Sequence, residues 1–141
     1  MNKEGYTWEA YPLTTEDGWN LTLFRITGRE DGRVEHDGRH HAPVLITHGI
    51  SMDALSWAEV LGEDGSASWP LQLVDRGYDV WLASNRGTSP YSDKHRDGDR
   101  MKDEEKWDFS FAEMGTLDQP VFFDKVLEVT GEPKLTYVGY S

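Results

Sequence analysis

Three short runs in this chain are apolar at consecutive positions: Pro43-Val44-Leu45-Ile46-Thr47, Asp79-Val80-Trp81-Leu82-Ala83 and Leu135-Thr136-Tyr137-Val138. A strand with one wet face alternates apolar and polar residues, whereas a strand without alternation is covered on both faces. Strands of that kind belong to parallel sheets flanked by helices, and helical stretches do lie between the runs. Trp69 to Arg76 is predicted to be a helix, with Ser68 as N-cap, Pro70 in the first turn and Gly77 as the stop. Leu117, Val121, Phe122, Val126 and Leu127 recur at helical spacing, and Gly131 and Pro133 end that helix. Either Thr116 and Gln119 form its capping box or Pro120 marks its first turn. This alternation predicts an open, mostly parallel α/β sheet, in which reactive groups gather at the carboxyl ends of the strands.

A hairpin precedes the first run. Tyr11 to Thr15 and Trp19 to Thr27 flank the turn pair Asp17-Gly18, with Leu21, Leu23 and Arg25 on one face and Asn20, Thr22 and Phe24 on the other. Gly28 to Ala42 is polar and reads as a loop or hairpin tip. Leu55 to Leu61 is a short helical piece, Gly62 to Ser68 is turn-rich, Ser84 to Arg100 is a loop, and Trp107 to Phe111 opens another apolar stretch.

Several function classes drop out. The net charge of −12 repels nucleic acid and anionic lipid headgroups. There is no cysteine, hence no disulfide framework or thiolate metal site. His36, His40 and His41 cluster in the polar loop without a zinc spacing. The acidic run Asp97 to Asp108 lacks the alternating ligands and central glycine of a calcium loop, and reads as a solvated face. Neither a metal nor a cofactor is expected. MNKEGYTWEAYP has no apolar core of a signal peptide, and no apolar run reaches transmembrane length, so the compartment stays open.

Two strand ends carry chemistry. The first run passes into His48-Gly49-Ile50, where glycine lets the backbone turn away with its amides exposed. The last passes into Gly139-Tyr140-Ser141, the opening of a G-x-S-x-G elbow. That turn needs small residues beside the serine because strand and helix backbones approach closely.

Together these pieces resemble the acid lipases, the gastric and lysosomal branch of the α/β-hydrolase superfamily. The likeness runs from Tyr11 to Ser141. Besides the two strand ends it rests on Asp17-Gly18-Trp19, Trp57, Gly77-Tyr78-Asp79-Val80-Trp81-Leu82, Asn85-Arg86-Gly87, Trp107-Asp108-Phe109-Ser110 and Asp118 with Pro120. It implies an α/β-hydrolase fold truncated after the strand that leads to the nucleophile elbow. Residues 1–141 would form one partial lipase-type domain without the cap and the C-terminal half. By resemblance Ser141 is the nucleophile and the Ile50 backbone amide an oxyanion donor, supported by His48, Gly49 and Gly139. The acid and histidine that complete such a set follow the serine in chain order. One departure is Tyr140, where the family usually has histidine; another is the loop from Gly87 to His95, which reads as one residue longer than usual.

The implied function is the N-terminal portion of an ester hydrolase acting on triacylglycerols or sterol esters, inactive alone because serine needs a base. The family is mostly secreted or lysosomal. The alternative is a non-catalytic lipid-binding or interaction fragment derived from a lipase. A hydrolase of soluble esters from another branch is disfavoured by the WDFS and GYDVWL pieces. The last strand would lie at a sheet edge, open to self-association or to a C-terminal half.

Overall fold

The computed structural model describes residues 5–34, 40–58 and 66–141. Its centre is a six-stranded mixed sheet. β1 (Tyr6–Thr14) and β2 (Trp19–Arg29) form an antiparallel hairpin. Its turn is closed by the Thr15 hydroxyl, which accepts from the Trp19 amide, and by Gly18 at φ 97. Both strands are longer than the alternation suggests, and β2 is covered on both faces: Phe24 and Ile26 are buried opposite Leu21 and Leu23. Arg25 is half-buried and forks onto Asp79 at 2.9 and 3.0 Å.

β3 (Val44–Thr47) and β4 (Val80–Ser84) are parallel, buried throughout, and match two of the three apolar runs. Between them a 3-10 turn, Ala54–Trp57, is capped by Asp53, and helix α1 spans Trp69–Asp75. Ser68 occupies the N-cap position, yet its hydroxyl bonds the Trp57 carbonyl rather than the helix. The end of the Leu55–Leu61 piece, most of the turn-rich stretch after it, and His36 lie outside the described residues.

After β4, a two-residue strand β5 (Lys94–His95) pairs with the start of β2 inside what the sequence presents as loop. A short α2 (Asp103–Lys106) follows on the acidic run. α3 (Phe111–Glu113), a π turn (Met114–Asp118) and α4 (Gln119–Thr130) form one continuous rod. It begins earlier than predicted, because the working capping box is Ser110 with Glu113, not Thr116 with Gln119. Thr116 instead bonds back to the Ala112 carbonyl. Pro120 has no N–H for the carbonyl one turn back, and just before it the Gln119 amide reaches five residues back to Met114, which widens the turn. Gly131, left-handed at φ 69, ends α4. The Trp107–Phe111 stretch is not core: Trp107 and Phe111 are exposed and only Phe109 packs inward.

β6 (Thr136–Gly139) pairs parallel with β3, giving the order β1-β2-β4-β3-β6. It is extended as predicted but mostly exposed, not buried, because it is the outer strand. The sheet is therefore less parallel than expected: only β4, β3 and β6 run together, since the hairpin joins β4 antiparallel. The connection from β3 to β4 and that from β4 to β6 travel in opposite directions across the sheet. Crossovers of one hand must then lie on opposite faces. Leu71 and Val74 of α1 accordingly join Val44, Ile46, Val80 and Leu82 in one core, while Phe122 and Val126 of α4 join Leu45, Trp81 and Ala83 in the other. Consecutive residues of β3 and β4 thus serve different cores, which is why neither strand alternates.

Candidate active site

At their carboxyl ends β3 and β4 send the chain toward opposite faces, and a crevice opens there. A cleft of about 790 Å³ occupies it, lined by His48, Gly49 and Ile50 after β3, Asn85 to Ser89 after β4, and Gly139, Tyr140 and Ser141 at the end of β6. The sequence-derived residues therefore converge on one face.

Ser141 follows a strand that hydrogen-bonds β3 to its tip, where the Tyr140 amide donates to the Thr47 carbonyl at 3.2 Å. Its backbone is left-handed at φ 54, a region that side chains other than glycine's rarely enter. Gly49 abuts it: a Cβ there would lie 3.1 Å from the Ser141 Cβ and 3.2 Å from the Tyr140 carbonyl oxygen. Gly49 therefore allows the two strand ends to close on each other. Ile50 follows in a tight turn in which the Met52 amide donates to the Gly49 carbonyl at 3.1 Å and Ser51 takes φ 67. Ile50 is 72% exposed, and among the described residues its amide has no acceptor.

The 61 N-terminal residues match a family described as the partial alpha/beta-hydrolase lipase region. Relatives extend the match over the rest. The chain is 42% identical to Lipase 1 of Drosophila melanogaster over 99% of its own length and 28% of that protein. It is 35% identical to Triacylglycerol lipase 2 of Arabidopsis thaliana, over 97% of this chain and 31% of that one. It is 36% identical to human Lipase member M, over 100% and 32% respectively. Over its whole length the chain is similar to the N-terminal region of lipases of the α/β-hydrolase superfamily, of the acid-lipase type. It spans about a third of the length of the curated relatives it matches.

Within this lipase-like region His48 is buried, and its ring is held at both nitrogens. The Asn85 amide donates to Nε2 at 3.1 Å, which leaves the proton on Nδ1, 2.8 Å from the Gly49 carbonyl. Burial holds its pKa below the usual histidine value, against weaker upward pulls from that carbonyl and from Asp53. His95 is held likewise, donating from Nε2 to the Asp17 carbonyl and accepting at Nδ1 from the Asp97 amide. Neither ring has a lone pair free to take a proton from Ser141.

Sequence reasoning missed the polar core beneath the cleft floor. Gln119 bridges two strand ends, its Nε2 donating to Asn85 at 2.7 Å and its Oε1 accepting from Thr47 at 3.2 Å. Next to it Asp118 accepts from the Arg86 backbone amide and guanidinium, both at 2.9 Å. The other side of that guanidinium meets Asp17 at 2.7 and 3.0 Å, between the rings of Trp19 and Phe109. Burial raises the pKa of Asp118, which is fully enclosed, and Arg86 offsets this only in part. Asp17 is a third exposed; burial would raise it too, but Arg86 and the Thr15 hydroxyl bring it below its usual value. The two carboxylates shift oppositely on one cation because only one keeps its hydration. The clue in the sequence was the position of Asp118 and Gln119 just before Pro120, where the widened turn sets both side chains inward.

The other candidate clusters disperse. His40 pairs with Glu132 and His41 stacks on Tyr78. Among the described residues no three metal-binding side chains gather, and no helix is long and apolar enough to cross a membrane. The cleft rim is apolar: Ile50, Trp107, Phe111, Tyr137 and Tyr140 are all exposed there. Tyr140 stands edge-on to Trp57, which does the same to Trp69.

Proposed function

We propose that this region supplies the nucleophile and one oxyanion donor of a carboxylic ester hydrolase acting on fatty acyl esters, as part of a lipase-type domain that includes all of 1–141. The observation that carries the reading is the seat of Ser141: left-handed at the end of β6 and closed against Gly49 beyond β3. The serine oxygen would add to the ester carbonyl carbon while its proton passes to a base. The carbonyl oxygen would take the developing negative charge beside the Ile50 N–H. Collapse would expel the alcohol, reprotonated by the same base, and leave an acyl-serine for water to hydrolyse. Relatives named as lipases and an apolar rim favour a long acyl chain, from a triacylglycerol or sterol ester.

The base is expected from outside these residues: among the described histidines the rings of His48 and His95 are engaged at both nitrogens, His40 pairs with Glu132 and His41 stacks on Tyr78. Loss of the histidine from such a set costs on the order of 10⁶ in rate, roughly 8 kcal/mol of barrier. The 141 residues alone are thus expected to be inactive. The test uses the full-length protein that carries this region, treated with a fluorophosphonate and then peptide-mapped. The adduct should sit on Ser141, and Ser141→Ala should abolish both labelling and long-chain ester hydrolysis. A folded protein that hydrolyses esters with Ser141 unlabelled would overturn the reading.

A second reading, a non-catalytic lipid-binding fragment, draws on Tyr140. It replaces the histidine usual in the family and stands on Trp57 beside Ser141. Saturable binding of a non-hydrolysable ether analogue, with neither labelling nor turnover, would favour it.

A further inference from the structure

The polar contacts beneath the cleft converge on one peptide plane, that of Gly49 and Ile50. Its carbonyl accepts from the His48 Nδ1–H at 2.8 Å and from the Met52 amide at 3.1 Å. In a trans peptide the N–H points opposite to the C=O. With the carbonyl tied to a buried ring and to the inside of its own turn, the Ile50 N–H must face the other way. It has no acceptor among the described residues.

We propose that His48 is a positioning residue: as the neutral Nδ1–H tautomer it clamps the Gly49–Ile50 peptide so that the Ile50 amide stays presented to the cleft. The inference rests on the oxyanion role proposed above for that amide. The tautomer is imposed from outside the ring. The Asn85 amide, with the Thr88 hydroxyl at 3.3 Å, donates into Nε2, so that nitrogen cannot carry a proton. Asn85 is in turn fixed by Gln119, and Gln119 by Thr47 at the end of β3. The clamp therefore ties the ends of β3 and β4 to the first turn of α4. A protonated ring would set two donors against each other at Nε2 and lose the Asn85 contact. Among the described residues the one charged side chain with an electrostatic pull on the ring is Asp53; the other partners, Asn85, Thr88 and the Gly49 carbonyl, are neutral. The cleft-side serine makes no contact with the ring in this arrangement, so His48 acts through the peptide and not on the substrate.

Asparagine and glutamine separate this role from general packing. Asparagine can place an N–H where Nδ1 stands, whereas glutamine reaches only the Nε2 position. In the full-length protein, His48→Ala and His48→Gln are expected to lose about 10²-fold in kcat, the scale of a displaced reacting group, with KM changed by less than about threefold. His48→Asn should recover most of that loss. Equal losses in the asparagine and glutamine variants, or a change confined to KM, would overturn the clamp. If a variant does not fold, ¹⁵N-resolved NMR of the unaltered protein decides: His48 should be neutral with its proton on Nδ1 at neutral pH, and an Nε2–H or charged ring would overturn the proposal. Failure of the nucleophile reading is distinguishable, because Ser141→Ala would then stay active whatever the tautomer of His48.

Discussion

Gly49 and Ser141 leave no room for a side chain between them: a Cβ on Gly49 would meet the Ser141 Cβ at 3.1 Å and the Tyr140 Cδ1 at 3.0 Å. Both neighbours sit on the exposed end of β6, which can yield by a few tenths of an ångström. Gly49→Ala is therefore expected to shift the serine more than it destabilises the fold. Fluorophosphonate labelling of Ser141 in the full-length protein should slow by at least about tenfold, because reacting atoms displaced by fractions of an ångström lose rate steeply. The unfolding midpoint should drop by no more than the equivalent of about 1 kcal/mol. Unchanged labelling would mean that this contact does not set the position of the nucleophile.

The Arg86 cluster should behave in the opposite way, as a stability element. Arg86→Met strands the enclosed Asp118 carboxylate, and breaking a buried pair from one side costs about 3–5 kcal/mol. Asp17→Asn removes the solvent-facing partner, and its cost should stay near 1 kcal/mol. Urea unfolding of the full-length protein and both variants measures the ranking. Equal losses would show that burial does not govern this cluster.

The uneven legibility of this chain in its sequence follows from the range of each interaction. β3, β4 and the end of α4 could be read because periodicity and helix stops are local. The strand ends could be read because His48-Gly49 and Gly139-Tyr140-Ser141 are compact patterns. β5 could not, since two residues opposite Trp19 and Asn20 leave no periodic trace. The edge position of β6 followed from the resemblance alone, because its own apolar residues read as a buried strand and exposure depends on what lies beside it. The polar core was hidden for the same reason: Thr47, Asn85 and Gln119 are 72 and 34 residues apart along its two bonds. Asp118 and Arg86 stood in the sequence as separate pieces of a resemblance, without any sign that they touch.

The buried His48 ring gives stability a defined pH dependence. Folding lowers its pKa from the ordinary 6.5 through burial, with Asp53 and the Gly49 carbonyl opposing. Below 6.5 the unfolded chain therefore binds more protons at this site than the folded one, and stability rises with pH through that window. The contribution is complete above 6.5 and is lost as pH falls from there toward the lower folded value. Carboxylates add their own slope, so the difference between the unaltered protein and His48→Asn isolates the ring. Between about pH 7.5 and about pH 5.5 the variant should lose less stability in urea titrations. A steeper loss in the variant would mean that the folded state stabilises the charged ring.

The edge strand makes the last prediction. β6 pairs with β3 on one side only, and Thr136, Tyr137 and Gly139 are exposed. The outward amides and carbonyls of such a strand are a template for another strand, and apolar neighbours such as Tyr137 do nothing to discourage it. The 141-residue chain made by itself is expected to associate with rising concentration. Thr136→Lys places a charge on the exposed edge without entering either core, the usual device against edge pairing. Sedimentation velocity of the two chains should show less association for the lysine variant, and adding the remainder of the protein in trans should reduce association of the unaltered chain. Equal association of both chains would place the contact elsewhere, with the aromatic rim around Trp107 and Phe111 as the next surface to alter.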